Sequence, residues 1–449
     1  MNLTMAGFWF TNLPGPGWVD MNPTRVNADG SVKSLLPGET AYLPLAVPAH
    51  NPNGTAIRCT YAGTGTLTIA GDATEVQVAN KSVQFRTLNR YPNATTPYLA
   101  LSVTDPVDPI RQIDCREVGA SPTKLFADEF LASLAPFGVI RFLDWQNINA
   151  NVGGNWAERT RAESFVTRHQ EGVAVEHMVA LTNELNADPW FLMPYNADEE
   201  FVTRFAQYVH DHLAPGRRVY VELSNEVWNY GFPVTHQAIR EGEAAGLGTG
   251  WGAGLNRYSQ KSAWMLRIWT RIFADKPEAL VRVVSSQHAN ITSGTTVLSF
   301  GDTASVVDAY ATAPYFGHDL FSEAPASASL DEYMLTLGQL VDREIQTSLA
   351  NKALATSHGI RHITYEAGQH VVKSDNVALV GAINRDPRMY DLYARYMSEW
   401  RTKQGDLMTL FNSTYPVAQF GAWGLREYAG QPLGETPKRR AAIDAAARN

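Results

Sequence analysis

The pattern of hydrophobic and polar residues changes near residue 119. Between Asp29 and Val118, short stretches of alternating residues are separated by turn residues, which is typical of half-buried strands. These stretches are AYLPLAV, AIRCTYAG, GTLTIAGD, EVQVAN, SVQFRTL, PYLALSVTD and IRQIDCREV. Because none of them has a helical period, this segment predicts a small β-sandwich.

After residue 119, hydrophobic strands alternate with amphipathic helices, which predicts βα units and a parallel sheet. The predicted strands are 138–145, 189–194, 217–224, 280–287, 306–314, 361–367 and 406–412. A (β/α)8 TIM barrel needs one more strand, which we assign to LTMAGFWFTN near the amino end. We therefore predict a first barrel strand and connection in residues 1–28, an inserted all-β sandwich-like domain in 29–118, and the rest of the barrel in 119–449.

The composition disfavours a nucleic-acid-binding protein and a membrane protein. The 449 residues contain 37 Lys and Arg against 45 Asp and Glu, and this net charge of −8 disfavours a nucleic-acid partner. No hydrophobic stretch approaches the roughly 18 residues that cross a bilayer, so we expect no membrane association. The amino end lacks a basic start and a long hydrophobic centre. We expect a secreted or periplasmic protein whose signal was removed, with a cytoplasmic protein as the alternative.

Cysteines and histidines give no sign of a metal or cofactor. Cys59 and Cys115 are the two cysteines, which excludes a four-cysteine metal site and leaves either one disulfide or two thiols. The histidines form no HExxH motif, and no G-x-S-x-G elbow is present. The glycine-rich segment GLGTGWGAG, residues 246–254, has no phosphate-loop Lys, and we interpret it as a mobile loop of the cleft.

The stretch YVELSNEVWN, residues 220–229, carries the sharpest chemical signal. Alternation along a strand puts Glu222 and Glu226 on one face, and carboxylates inside a barrel are costly unless each has a partner. A surface strand with its acids in water is the alternative, which the flanking valines and leucine disfavour. Glu226 also lies where the predicted strand ends, at the edge where barrel enzymes place their chemistry.

A second carboxylate, Glu366, ends the hydrophobic stretch in HITYEAGQH, residues 362–370. By itself, a glutamate at a strand end is more often a helix-capping or ion-paired carboxylate than a catalytic one. However, strands four and seven of a barrel face each other across its mouth. Two carboxyl groups there can lie about 5 to 5.5 Å apart, which is the separation found in retaining glycosidases.

These two segments resemble the signatures of the clan A glycoside hydrolases. The run Tyr220 to Glu226 is similar to that clan's fourth strand, which ends in Asn followed by the acid/base Glu, and Tyr365-Glu366-Ala367-Gly368 is similar to its seventh strand. One departure is Val227, where many members have proline. The series FLDW, ADPWFLMP and VELSNEVWN also resembles a less characterised bacterial group often labelled cellulose-binding proteins.

The resemblance implies roles for particular residues. Glu226 would be the general acid and base and Glu366 the nucleophile, while Asn225 would contact the sugar hydroxyl beside the reacting carbon. Arg141 and Tyr315 would hold the nucleophile, and Trp423 would form the floor under the sugar. Further substrate-binding candidates, for which a packing role is an equal alternative, are His288, Asn196, Trp228 and Trp145.

We therefore predict a retaining glycoside hydrolase that acts on a β-linked polysaccharide, with a β-glycan as its partner and no cofactor or metal. Endo-action on a β-glucan is the main hypothesis. The alternatives are an exo-acting β-glycosidase on xylosides, mannosides or other sugars, a non-catalytic carbohydrate-binding protein on the same fold, and a hydrolase of another chemistry.

Overall fold

The computed structural model describes residues 2–447 except 6, 14, 16, 46–53, 89–95, 168–170 and 326. The chain forms two compact units. The first comprises Met1–Ser133, Asp144–Asn147 and Gly154–Leu181, and the second comprises Leu134–Leu143, Ile148–Gly153 and Thr182–Asn449. This division differs from the predicted boundaries, because residues 1–28, 119–133, 144–147 and 154–181 belong to the same unit as the all-β region.

The first unit contains two antiparallel sheets. Their strands are β1 (Phe10–Thr11), β2 (Val19–Asp20), β3 (Ala41–Pro44), β4 (Ala56–Ala62), β5 (Gly65–Ala70), β6 (Ala73–Ala79), β7 (Ser82–Thr87), β8 (Tyr98–Thr104) and β9 (Arg111–Glu117). One sheet has the order β2-β1-β3-β8-β5 and the other β6-β7-β4-β9. Each of the seven predicted stretches overlaps one of these strands, although the last two residues of AYLPLAV lie outside the described residues, so the all-β character of this segment is confirmed.

The end of the amino-terminal stretch LTMAGFWFTN, Phe10–Thr11, lies in the first of these sheets, while residue 6 is outside the described residues. Phe10 in β1 pairs antiparallel with Asp20 on one side and with Tyr42 on the other. Trp9 is buried in the cluster of hydrophobic side chains of this unit, as expected for a half-buried strand. The prediction that this stretch is the first strand of a parallel barrel is therefore wrong.

Cys59 and Cys115 form a disulfide and are not two free thiols. They are directly opposed on the antiparallel strands β4 and β9, and both are fully buried. Their Cα atoms are 3.9 Å apart, and the two sulfurs form a disulfide.

A parallel sheet organises the second unit. The strands from residue 139 onward are β10 (Val139–Arg141), β11 (Gly153–Gly154), β12 (Asp188–Met193), β13 (Asn196–Ala197), β14 (Val219–Leu223), β15 (Leu280–Ser285), β16 (Ala309–Thr312), β17 (Tyr315–Phe316), β18 (Arg361–Thr364) and β19 (Gly368–Gln369). The sheet has the order β10-β12-β14-β15-β16-β18. This order follows the chain and confirms the predicted parallel sheet, while closure into an eight-stranded barrel stays a prediction.

The last predicted strand, 406–412, runs beside β18 without forming a regular strand. The backbone N–H of Thr364 donates to the oxygen of Leu407 at 3.1 Å, and that of Phe411 donates to the oxygen of Ala367 at 3.0 Å. These two bonds place the segment next to Glu366.

The helices are α1 (Asp128–Leu134), α2 (Val175–Leu185), α3 (Glu199–His212), α4 (Pro233–Ala244), α5 (Gly250–Ile272), α6 (Ile291–Ser299), α7 (Leu320–Glu323), α8 (Leu330–Ser357), α9 (Val377–Arg385), α10 (Met389–Lys403) and α11 (Pro437–Ala446). Within the described ranges, no helix is both long enough and hydrophobic enough to cross a membrane.

The glycine-rich segment is not a loop over its whole length, because α5 begins at Gly250. Gly242 in α4 and Gly254 in α5 allow these two helices to lie close together. A Cβ atom on Gly242 would lie 2.2 Å from the backbone oxygen of Ala253, and one on Gly254 would lie 2.9 Å from Cγ1 of Ile239. The interpretation as a mobile cleft loop is therefore wrong for residues 250–254.

Candidate active site

The chain leaves the extended conformation directly after β14. Ser224 has a φ of 56° and Glu226 a φ of 42°, both in the left-handed region. A residue other than glycine held there costs about 1–3 kcal/mol, and such strain is concentrated at functional sites. Strand alternation therefore ends with β14 at Leu223, and Glu226 is oriented by the turn that follows.

Arg141, the last residue of β10, connects several of the predicted side chains. Its Nη1 donates to Oε1 of Glu366 at 2.9 Å, and its Nη2 donates to Oδ1 of Asn225 at 3.0 Å. Its Nε donates to Oε1 of Glu222 at 3.0 Å, and Nη2 donates to the same oxygen. Although burial works to lower the pKa of Arg141, the attraction of Glu222 and Glu366 raises it above its ordinary value.

Glu222 is a third carboxylate in the site, and the sequence analysis gave it no role there. It is completely buried, and its Oε2 has no hydrogen-bond partner among the described residues. Burial raises the pKa of Glu222 even though Arg141 works to lower it. The sequence did contain a sign of this role, because Glu222 is a charged residue within an otherwise hydrophobic strand.

Glu366 lies two residues beyond β18 and accepts hydrogen bonds on both oxygens. In addition to the Arg141 contact, its Oε2 accepts from the hydroxyl of Tyr315 at 2.8 Å. The parallel pairing of β17 with β19, in which Tyr315 is opposite Gly368, brings this tyrosine to the carboxylate. Burial and the Glu366 charge raise the pKa of Tyr315 well above its ordinary value. The phenol therefore stays protonated and donates a hydrogen bond to Glu366.

Glu226 accepts hydrogen bonds from two neutral groups. The hydroxyl of Tyr365 donates to Oε1 at 2.7 Å, and Nδ2 of Asn229 donates to Oε2 at 2.8 Å. Burial and the charges of Glu226 and Glu366 raise the pKa of Tyr365 well above its ordinary value, so both carboxylates act on the same phenol. Tyr365 and Asn229 were not predicted as site residues. Only the fold shows that they reach Glu226.

Asn225 lies between the two left-handed residues and has both ends of its amide engaged. Its Oδ1 accepts from Arg141, and its Nδ2 donates to Oδ1 of Asn149 at 3.2 Å. An amide nitrogen carries two hydrogens, so one N–H of Asn225 is left for a substrate hydroxyl.

Aromatic side chains join this cluster through the two tyrosines. The ring of Trp423 is 5.4 Å from that of Tyr315 at an interplanar angle of 72°, and the ring of His370 is 4.6 Å from Trp423 at 87°. Trp228 is buried and lies edge-on to Tyr365 at 6.1 Å. The predicted residues Trp423 and Trp228 therefore belong to the same group of contacts as Glu366 and Glu226.

Three other predicted substrate contacts have different surroundings. His288 is buried, and its Nδ1 lies 2.8 Å from the hydroxyl of Thr312, while burial and His362 lower the pKa of His288 to about 3. Asn196 donates to the backbone oxygen of Asn151 at 3.2 Å. Trp145 belongs to the first unit, where its ring stacks on that of Phe130 at 6.0 Å. No contact joins His288 or Asn196 to the two catalytic candidates in the described part of the chain.

The donor atoms in the site suit sugars better than metals. Among the described residues there is no group of three His, Cys, Asp or Glu side chains arranged to hold a metal ion. The groups that do converge are carboxylates, phenols, an amide and aromatic rings. Carboxylates can exchange protons, an amide or a phenol can hydrogen-bond a hydroxyl group, and an aromatic ring can stack on a sugar.

No family model matches this chain, and no curated protein matches it. Solved structures do. A 4-O-α-L-rhamnosyl-β-D-glucuronidase from Fusarium oxysporum 12S is 11% identical with a TM-score of 0.42, over 70% of this chain and 63% of that one. The β-galactosidase from the psychrophilic Marinomonas ef1 is 11% identical with a TM-score of 0.39, over 71% and 56%.

The endo-β-1,4-mannanase from Thermotoga petrophila is 13% identical with a TM-score of 0.38, over 71% of this chain and 72% of that one. All three names are those of glycosidases. The matched region spans less than two thirds of the glucuronidase and of the galactosidase. We base the functional proposal on the geometry of the site.

Proposed function

We propose that this protein is a retaining glycoside hydrolase that cleaves β-linked polysaccharide, with endo-action on a β-glucan. Glu226 is the general acid and base, and Glu366 is the nucleophile. The observation that carries this proposal is the unequal environment of the two carboxylates, since Arg141 and Tyr315 donate to Glu366 whereas only neutral groups, Tyr365 and Asn229, donate to Glu226.

The nucleophile must be ionised and aimed, and the contacts of Glu366 suit that role. A guanidinium at 2.9 Å stabilises the charged carboxylate, and the Tyr315 hydroxyl fixes its second oxygen. The acid must instead carry a proton before the first step. Glu226 has only an amide and a phenol as donors, and no ion pair involves it within the described ranges.

In the first step, Glu226 gives its proton to the glycosidic oxygen while a carboxylate oxygen of Glu366 attacks the anomeric carbon. The bond from that carbon to the leaving oxygen breaks, and the sugar remains on Glu366 as an ester. In the second step Glu226 takes a proton from water, the water oxygen attacks the same carbon, and the ester bond breaks. Two inversions return the original configuration.

An uncharged sugar suits the polar groups of this site. Arg141 makes four hydrogen bonds, each to a carboxylate or an amide of the protein, so four of its five N–H groups are already used. A neutral hydroxyl next to the reacting carbon can accept from the remaining N–H of Asn225. The ring of Trp423 beside Tyr315 provides a face for sugar stacking.

The disulfide supports a secreted or periplasmic location. Disulfides form and persist in oxidising compartments and are rare in the cytosol. The Cys59–Cys115 bond joins fully buried cysteines on paired strands, which fits a structural role in such a compartment.

A panel assay tests the function. The purified protein is incubated with β-glucans, xylans and mannans, and new reducing ends are measured, with Glu366→Ala as the control. We expect release from a β-glucan as a ladder of oligosaccharides. Release of single sugars would indicate exo-action. No release above the control would support a carbohydrate-binding protein, and turnover that survives loss of Glu226 would remove our assignment of roles.

A further inference from the structure

His370 lies beside the proposed nucleophile without a role in the mechanism above. It follows β19, and its ring is edge-on to Trp423 at 4.6 Å and to Tyr315 at 5.8 Å. The hydroxyl of the same Tyr315 donates to Glu366. The imidazole is therefore one side chain away from the carboxylate and in contact with the ring proposed to carry the sugar.

The polar atoms of this imidazole are not used by the protein. The backbone N–H of His370 donates to the oxygen of Phe316 at 2.7 Å, but neither ring nitrogen has a hydrogen-bond partner among the described residues. A partly buried polar group without a partner costs free energy, which a bound water or ligand can recover. The ring of His318 lies 5.1 Å away and meets it edge-on, so it packs against His370 without bonding to it.

The neutral form of this ring matches a hydroxyl. Burial and the neighbouring His318 lower the pKa of His370 to about 4, so the imidazole is uncharged near neutral pH. A neutral imidazole has one donor nitrogen and one acceptor nitrogen. A sugar hydroxyl can accept from the first or donate to the second, whereas a substrate carboxylate finds no charge there.

We propose that His370 hydrogen-bonds one hydroxyl of the sugar stacked on Trp423 and so determines which sugar is accepted at the cleavage point. This inference rests on the proposed function. His370 acts on the orientation and identity of the ring, while Glu226 and Glu366 carry out the bond changes.

Two substitutions separate hydrogen bonding from packing. His370→Phe keeps a flat ring against Trp423 and Tyr315 and removes both nitrogens, and His370→Asn keeps a donor and an acceptor in a smaller side chain. His212→Phe is the matched control, because His212 is exposed at the end of α3 and contacts Tyr208. Thermal melting of each variant checks that it is folded, and His370→Asn is used if His370→Phe is not.

The experiment compares the aryl β-glycoside that the wild type hydrolyses fastest with its monodeoxy analogues, each lacking one hydroxyl. We expect one analogue to lose about tenfold in kcat/KM, as for one hydrogen bond. His370→Phe should lose about tenfold on the parent sugar and nothing further on that analogue, while His212→Phe behaves like the wild type. His370→Asn should recover part of the discrimination.

Two results would overturn the inference in distinguishable ways. If the wild type is active but His370→Phe loses the same factor on the parent and on every analogue, the histidine acts by packing alone. If the wild type hydrolyses no glycoside at all, the proposed function fails and this inference fails with it.

Discussion

Arg25 in the first unit and Arg141 in the second both bind carboxylates, but they do so in different ways. Arg25 faces a single acid, Glu39, and donates to its two oxygens at 2.8 and 2.6 Å. Glu39 also accepts from the hydroxyl of Thr11 and from the backbone N–H of Leu36, both at 2.7 Å. Each carboxylate oxygen of Glu39 therefore accepts two hydrogen bonds.

Arg141 is divided between two acids. It bonds one oxygen of Glu222 and one of Glu366, so each carboxylate receives only part of the guanidinium. The second oxygen of Glu222 has no partner among the described residues.

The pKa values of Glu39 and Glu222 shift in opposite directions because their hydrogen-bond donors differ. Burial works to raise the pKa of Glu39, yet its hydrogen bonds, with Arg25 first, lower that pKa to about 2. For Glu222 burial prevails over Arg141 and raises the pKa. The Arg25–Glu39 pair therefore stabilises the fold of the first unit, whereas Arg141 is shared between a buried acid, Glu222, and the acid that we propose as the nucleophile, Glu366. The predictions below test this distinction.

The largest effect is expected at Glu366. Glu366→Gln keeps the shape of the side chain but removes the attacking oxygen, so we expect kcat to fall by about 10⁴-fold or more. The variant should melt within a few degrees of the wild type. Steady-state kinetics on a β-glucan measure the first quantity and calorimetry the second. A loss of tenfold or less would refute the nucleophile assignment.

Loss of the disulfide is next. The bond closes a chain segment with a sequence separation of 56, for which the chain-entropy relation gives about 4 kcal/mol of stability. We expect Cys59→Ala with Cys115→Ala to reduce the free energy of unfolding by that amount. Denaturant titration under non-reducing conditions measures it. A change below about 1 kcal/mol would show that this bond contributes little.

Glu39→Gln should destabilise the first unit by about 1–2 kcal/mol, because it replaces charge-assisted hydrogen bonds to the half-buried Arg25 by weaker bonds to a neutral amide. In the wild type, the folded pKa of Glu39 is lower than its ordinary value of 4.5, so its contribution is present above that pH and is lost as the pH falls toward about 2. The variant should lack this acid-sensitive component in a series of denaturant titrations. Identical pH dependence in both proteins would contradict a structural role for the pair.

Glu222→Gln should have the smallest effect on stability, within about 1 kcal/mol at neutral pH, because an amide also accepts from Arg141 and is not charged. The pH dependence has the opposite sign to that of Glu39. A raised folded pKa gives stability that is present below the unfolded value and is lost as the pH rises through the folded value. The variant should not lose this component, and a drop of several kcal/mol would show that Glu222 is needed as a charged partner.

The sequence predicted the parts of this molecule that depend on local pattern. Alternation located the strands of the first unit because one face of each is buried. A carboxylate at the end of a hydrophobic strand located Glu226 and Glu366. The resemblance to the clan A glycoside hydrolases added Arg141 and Tyr315, which the structure brings to Glu366.

The errors come from features that depend on packing. A short hydrophobic stretch such as LTMAGFWFTN fits a barrel strand and a half-buried antiparallel strand equally well, and only the pairing of Phe10 decides. Gly254 allows α5 to approach α4, and composition does not distinguish such a glycine from one in a loop. Tyr365 and Asn229 act on Glu226 through a turn with two left-handed residues, which strand periodicity does not describe.

In the proposed mechanism Glu366 forms a covalent bond to the sugar, and mass spectrometry can detect this bond in a trapped intermediate. The protein is incubated with a 2-deoxy-2-fluoro β-glucoside carrying a good leaving group, then digested with pepsin. We expect the mass of one fluoroglycosyl group on the peptide containing Glu366, and none in Glu366→Gln. Hydrolysis of a β-glucan with an inverted product and no adduct on that peptide would contradict the account.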